Sequence, residues 1–174
     1  MTTTTQNDFF KSNILGHPAG LFVLFFTEMW ERFSFYGMRI LLVIFLTAAI
    51  GADNAGFGMP IEHAAAVYGT YAMLLYLTPI LGGLIADKFL GYRWAVVIGA
   101  FIMTLGHAAM AVETHFWVYV GLGLLVLGTG FFKPNMTSIL SEMYKDVPEK
   151  KDGAYTIFYM GVNAGAFFGM MLCG

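Results

Sequence analysis

Five runs of mostly apolar residues, at about 20–50, 64–86, 94–112, 116–140 and 154–174, divide the chain. Each is long enough to cross about 30 Å of hydrocarbon, which takes about 20 residues of a helix rising about 1.5 Å per residue. Turn formers and charges collect between them, in 51–54, 87–93, 113–115 and the polar run 145–152 with its Pro148. A soluble core does not suit such a chain: 58% of its 174 residues are apolar and 11% charged, where soluble domains carry about 45–50% and about 25%. A soluble domain of this size would also leave about 30% of its unfolded surface in water. The expected fold is all-α, a polytopic membrane helical bundle, preceded by a polar segment over 1–19.

The cations support this map. Lys11, Lys88, Arg93, Lys145, Lys150 and Lys151 fall on one side of the membrane and none on the other, whose two loops carry Asp53, Glu62 and Glu113. Positive charge is retained on the cytoplasmic face, so the amino terminus is expected there. The run after the polar start is too long and too charged for a cleaved signal. The chain stops inside an apolar run at 172–174 and reads as a piece of something longer. A net charge of −2 gives no reason to expect a nucleic-acid partner, and Cys173 alone supports neither a disulfide nor a thiolate cluster. His17, His63, His107 and His115 show no metal-ligand spacing, and no nucleophile elbow, zinc helix or phosphate loop is present, so no enzyme is expected.

The most informative residues are the charges within the expected spans: Glu28, Glu31, Arg32, Arg39 and Lys133. Each costs about 2.5–3.5 kcal/mol near the bilayer centre unless partnered or wet. At about 100° per residue, Glu28, Arg32, Phe35 and Arg39 fall within a sector of about 60°, with Glu31 and Tyr36 at its borders. Glu28 and Arg32 have the spacing of a helical ion pair, which as a purely structural pair leaves Arg39 and Lys133 unexplained. Two carboxylates and three cations leave a net +1 when all are ionised, and a surplus cation suits an anionic ligand. Pro134 is expected to disturb the helix beside Lys133 and to free carbonyls, which implies a cavity there. Lys133 alternatively snorkels to the headgroups.

Several weaker signals keep two readings each. Tyr68, Tyr71 and Tyr76 offer hydroxyls to the same space or anchor at the interface. His107 is a proton relay or a histidine bonded to a neighbouring helix. Gly161, Gly165 and Gly169 lie on one face at four-residue spacing, a seam for close helix packing. Asn163, midway along the last span, lines a cavity or bonds another helix.

The segment 28–39, Glu-Met-Trp-Glu-Arg-Phe-Ser-Phe-Tyr-Gly-Met-Arg, resembles the ExxERFxYY signature of the proton-dependent oligopeptide transporters, a branch of the major facilitator superfamily. Agreement continues in order through 76–83 with Asp87, Gly91 and Arg93, then 128–135, then 161–167. The resemblance implies a twelve-span core of two six-helix bundles, or fourteen spans as in many bacterial members, with the transport path between the bundles, and this chain holds about five helices of the amino-terminal one. It also implies secondary active transport: symport of di- and tripeptides with protons into the cytoplasm by alternating access, across a bacterial inner membrane. No cofactor beyond the coupling proton is implied, and the partners are a small peptide, protons, the bilayer and the carboxy-terminal bundle, without which the fragment is not competent. By motif position Glu28, Glu31 and Arg32 are the proton-coupling and salt-bridge group. Arg32, Arg39 and Lys133 are basic substrate-binding residues, Tyr36, Tyr76 and Asn163 their pocket neighbours, and Asp87 and Arg93 a gating loop.

Two positions depart from the family pattern. Phe35 stands where the signature has its first tyrosine, and Gly69 where animal peptide carriers have a histidine, so proton binding falls more heavily on the carboxylates. The same fold carrying nitrate or another small anion is the alternative, and a membrane scaffold without transport is a third reading.

Overall fold

The computed structural model describes residues 12–51 and 55–174. Lys11, Asp53 and most of the expected polar segment 1–19 lie outside the described residues. A hairpin of two short strands, β1 (Asn13–Ile14) and β2 (His17–Pro18), precedes five long helices. These are α1 (Ala19–Thr47), α2 (Ile61–Ile85), α3 (Tyr92–Met110), α4 (His115–Met143) and α5 (Lys151–Cys173). A π-helical turn, Ala86–Leu90, extends α2, and a 3-10 turn, Pro148–Lys150, leads into α5.

By length and composition alone, α2 with its π turn, α3, α4 and α5 with its 3-10 turn are apolar enough to cross a membrane, and α1 is not. The reason is the charge stripe, because every 18-residue window of α1 holds at least three of Glu28, Glu31, Arg32 and Arg39. Packing supplies what composition withholds. The chain forms two compact units, one made of the chain to Leu41 and from Leu140 onward, the other of Leu42–Ile139.

In the first unit α5 lies parallel to α1 at backbone contact. A Cβ placed on Gly161, Gly165 or Gly169 would collide with the carbonyl oxygen of Phe25, Met29 or Phe33 respectively, each step advancing both helices by four residues. Gly37 on α1 returns the favour of space to Cys173, whose Sγ would lie 2.8 Å from a Cβ there. The expected glycine seam is thus real, and it holds α1 alongside a helix that spans by composition.

In the second unit α3 and α4 run antiparallel, with Gly99 against Gly128 and Gly106 against Gly121. Helices α2 and α4 run parallel, where Gly82 meets the carbonyl of Gly130 and Thr78 Oγ1 donates to Val126 O at 3.1 Å. Helix α4 continues unbroken past Pro134, contrary to the expected disturbance. Proline has no N–H for the carbonyl four residues back, that of Gly130. Gly82, lacking a side chain, lets the α2 backbone close over that carbonyl, so a tight helix contact replaces the expected opening. The carbonyls at the end of α1 are met by the loop that follows, with Phe57, Gly58 and Met59 N–H groups donating to Phe45, Ala48 and Leu46.

Candidate charged site

Helix α1 brings the two buried charges of the stripe together. Glu28 and Arg32 are almost fully buried, and Glu31 nearly so. The primary grip on Arg32 comes from its neighbour Glu31: Arg32 Nη2 donates to Glu31 Oε1 at 2.6 Å, and Arg32 Nε donates to Glu31 Oε2. Glu28 Oε1 stands 3.4 Å from the same Nε. A bidentate guanidinium–carboxylate fork is the strong form of this interaction, and it fixes orientation as well as charge. Burial makes it consequential, because a desolvated charge that loses its partner is destabilised by several kcal/mol, on the order of 3–5.

Aromatic rings complete the stripe. The Arg32 guanidinium lies 5.0 Å from the centroid of Phe35, and that of Arg39 lies 5.9 Å from Tyr36. The two rings meet edge to face at 5.2 Å. Phe35 therefore serves Arg32 through its π face, a contact that does not need the hydroxyl the family signature has at this position. Arg39, by contrast with Arg32, is exposed at its side chain.

Helix α5 closes the stripe from one side. A Cβ on Gly165 would stand 2.9 Å from Arg32 Cβ, so the seam passes directly over the arginine. Asn163 lies two residues from both Gly161 and Gly165, about 200° around α5 from either, so it points away from the seam and is exposed.

The remaining sequence-derived residues lie in the second unit. Tyr76 on α2 and Lys133 on α4 are exposed side chains. Asp87 in the π turn and Arg93 at the start of α3 are both exposed, flanking Gly91 at φ +73°. Tyr71 is buried and lines, with Val67, Leu74, Tyr119, Leu122 and Val126, an apolar groove of about 410 Å³ between α2 and α4. Next to Lys133, Asn135 is buried and its Nδ2 donates to Phe131 O at 2.6 Å. Among the described residues no cluster of His, Cys, Asp and Glu has the form of a metal site.

Two contacts were not visible from sequence spacing. One is the preference of Arg32 for Glu31, which sits about 100° away on an ideal helix and meets it only because both side chains are long. The other joins His17 to Tyr144 across 127 residues.

Parallel and antiparallel apolar helices packed through glycine, with a buried fork of opposite charges on one of them, define a polytopic membrane helical bundle. Comparison with known proteins agrees and narrows it. The model of the POT family, PTR2, matches residues 93–174. A di-/tripeptide transporter of Lactococcus lactis subsp. cremoris is 41% identical over 167 residues, which cover 94% of this chain and 33% of the relative. The peptide transporter YePEPT of Yersinia enterocolitica is 42% identical over 162 residues, 91% of this chain and 31% of the relative. Among solved structures, a mutant of a peptide transporter, POT, in complex with alafosfalin superposes with a TM-score of 0.88 at 41% identity, covering 94% of this chain and 33% of that one. The chain is similar to the POT family, and its fold is of the major facilitator type. It spans about a third of the length of these relatives.

Proposed function

We propose that this chain supplies the proton-coupling and carboxylate-receiving part of a proton–peptide symporter that carries di- and tripeptides into the cytoplasm by alternating access. The observation that carries the reading is the buried fork of Arg32 with Glu31, with Glu28 beside it. While both carboxylates are ionised they neutralise the arginine. Protonating one loosens its hold, and the freed cation attracts the carboxylate of an incoming peptide. Proton and peptide then favour each other, and reciprocity requires that bound peptide favour protonation to the same degree. A coupling of about 1–3 kcal/mol corresponds to an affinity change of roughly 5- to 150-fold.

In this reading Arg39 and Lys133 receive the substrate carboxylate with Arg32, and Tyr36, Tyr76 and Asn163 contact the peptide. Asp87 and Arg93 act in gating, and protons are the coupling ion with no other cofactor. The amino terminus is cytoplasmic, in a bacterial inner membrane, and the rest of the path comes from the carboxy-terminal bundle. Relatives named as di-/tripeptide and peptide transporters support this substrate class over nitrate or another small anion.

The test uses the full-length protein in proteoliposomes. Glu28→Gln should keep peptide exchange and lose uptake driven by a proton gradient. Undiminished accumulation by that variant would overturn the coupling role. Competition of labelled dipeptide uptake by tripeptide but not by nitrate is expected.

A further inference from the structure

The hairpin ahead of α1 contributes nothing to the charge stripe, yet it is bonded to a segment more than a hundred residues away. Its two central residues, Leu15 and Gly16, have φ of 52° and 83°, the positive pair that closes a two-residue turn between antiparallel strands. Glycine adopts this conformation freely, while leucine does so only under strain. The Leu15 side chain is exposed, so no packing of its own offsets that strain.

What holds the hairpin is the connection between α4 and α5. His17 Nδ1 and the Tyr144 hydroxyl share a hydrogen bond of 2.7 Å, and Tyr144 is among the most deeply buried large side chains of the chain. Lys150 Nζ donates to Gly16 O at 3.0 Å. The ring of His17 reaches the first turn of α5, where its Cε1 would lie 3.9 Å from a Cβ on Gly153. Ala19 N donates to Ser12 O at 2.8 Å and closes the hairpin onto α1. Three elements therefore meet here: the start of α1, the residue after α4, and the start of α5.

We propose that the hairpin is a permanent clamp. It fuses the start of α1, the α4–α5 connection and α5 into one rigid piece that stays closed through the transport cycle, resting on the transporter reading above. The glycine seam explains why such a clamp is useful. Helix α5 touches α1 at backbone distance, so a slide of one residue would drive side chains into carbonyls and disturb Arg32, which lies under Gly165. A clamp at one end of the seam fixes its register. The alternative is a gate, in which His17 and Tyr144 separate when the protein changes conformation.

The two are separated in the full-length protein on a cysteine-free background, with Leu15→Cys and Lys150→Cys bridged by a short bis-methanethiosulfonate reagent. A clamp predicts bridging in equal yield with and without peptide, and uptake within about twofold of the unbridged protein. Loss of uptake on bridging, restored by reduction, would overturn it. In parallel, Tyr144→Phe keeps the buried ring and removes the bond to His17. Amide exchange over 12–19 should then rise roughly five- to tenfold, as loss of one hydrogen bond implies. Unchanged exchange would also overturn the clamp. Bridging yield and exchange do not depend on what is carried, so failure of the clamp and failure of the transport reading are distinguishable.

Discussion

Arg32 carries more of the chemistry than its charge alone. Its planar fork takes two oxygens of Glu31 at once while its face lies against Phe35, and lysine supplies neither geometry. Arg32→Lys in the full-length protein should therefore lower peptide uptake at least about tenfold, as loss of a hydrogen bond to a charged group implies, together with the melting temperature in detergent. Full uptake by the lysine variant would mean that only the charge matters. Tyr144 permits a prediction of a different kind, since burial pushes its hydroxyl pKa above the ordinary tyrosine range. A group whose pKa is raised by folding contributes stability below its unfolded pKa and loses it as pH rises through the folded value. The stability advantage of the wild type over Tyr144→Phe should thus be constant to about pH 10 and shrink above it, as read by thermal melts across that range. The charges of the stripe were legible because no apolar helix keeps ionisable groups without cause. The choice of Glu31 over Glu28 was not, because it depends on side-chain reach and on the closeness of α5 at Gly165, which no helical wheel contains.

At the level of helices, glycine decides which faces meet. Gly165 has the α1 backbone where a Cβ would go, whereas Gly69 on α2 has nothing within 4 Å. The same change at the two positions should act in opposite directions. Gly165→Ala should destabilise by about 1–3 kcal/mol through overpacking, and Gly69→Ala should be neutral or stabilise by up to about 1 kcal/mol through helix propensity. Thermal melts of the two full-length variants check this, and equal effects would mean that the α1–α5 seam is loose. The 161/165/169 spacing was open to reading from sequence, since four residues return to the same helical face. The seven-residue spacing of Gly99 with Gly106 and of Gly121 with Gly128 carried the same information for α3 and α4 and was missed. Pro134 misled for a physical reason: the cost of its missing N–H depends on what covers Gly130 O, and that is Gly82, 48 residues earlier in the chain.

For the whole molecule, the open question is how a helix with four charges crosses a bilayer. Composition rejects α1 as a span, yet it packs in parallel with α5 from Phe25 to Ile40, and α5 is apolar enough to cross. Two helices in backbone contact over that length share one environment, so α1 crosses where α5 does. Its buried charges, two carboxylates and one guanidinium, pair with each other beneath α5. Within the second unit α2 runs parallel to α4, and α3 antiparallel to both. That order brings the α2–α3 turn and the end of α4 to one end of this unit, and the start of α2 and the α3–α4 turn to the other. Lys88 and Arg93 fall at the first end, Glu62 and Glu113 at the second, which is the charge asymmetry that the proposed orientation requires. In intact cells expressing the full-length protein on a cysteine-free background, Glu113→Cys should react with a membrane-impermeant maleimide from outside. Lys145→Cys should react only after the membrane is opened. Labelling of both from outside would overturn the proposed orientation, because the α4 helix between them would no longer separate the two faces.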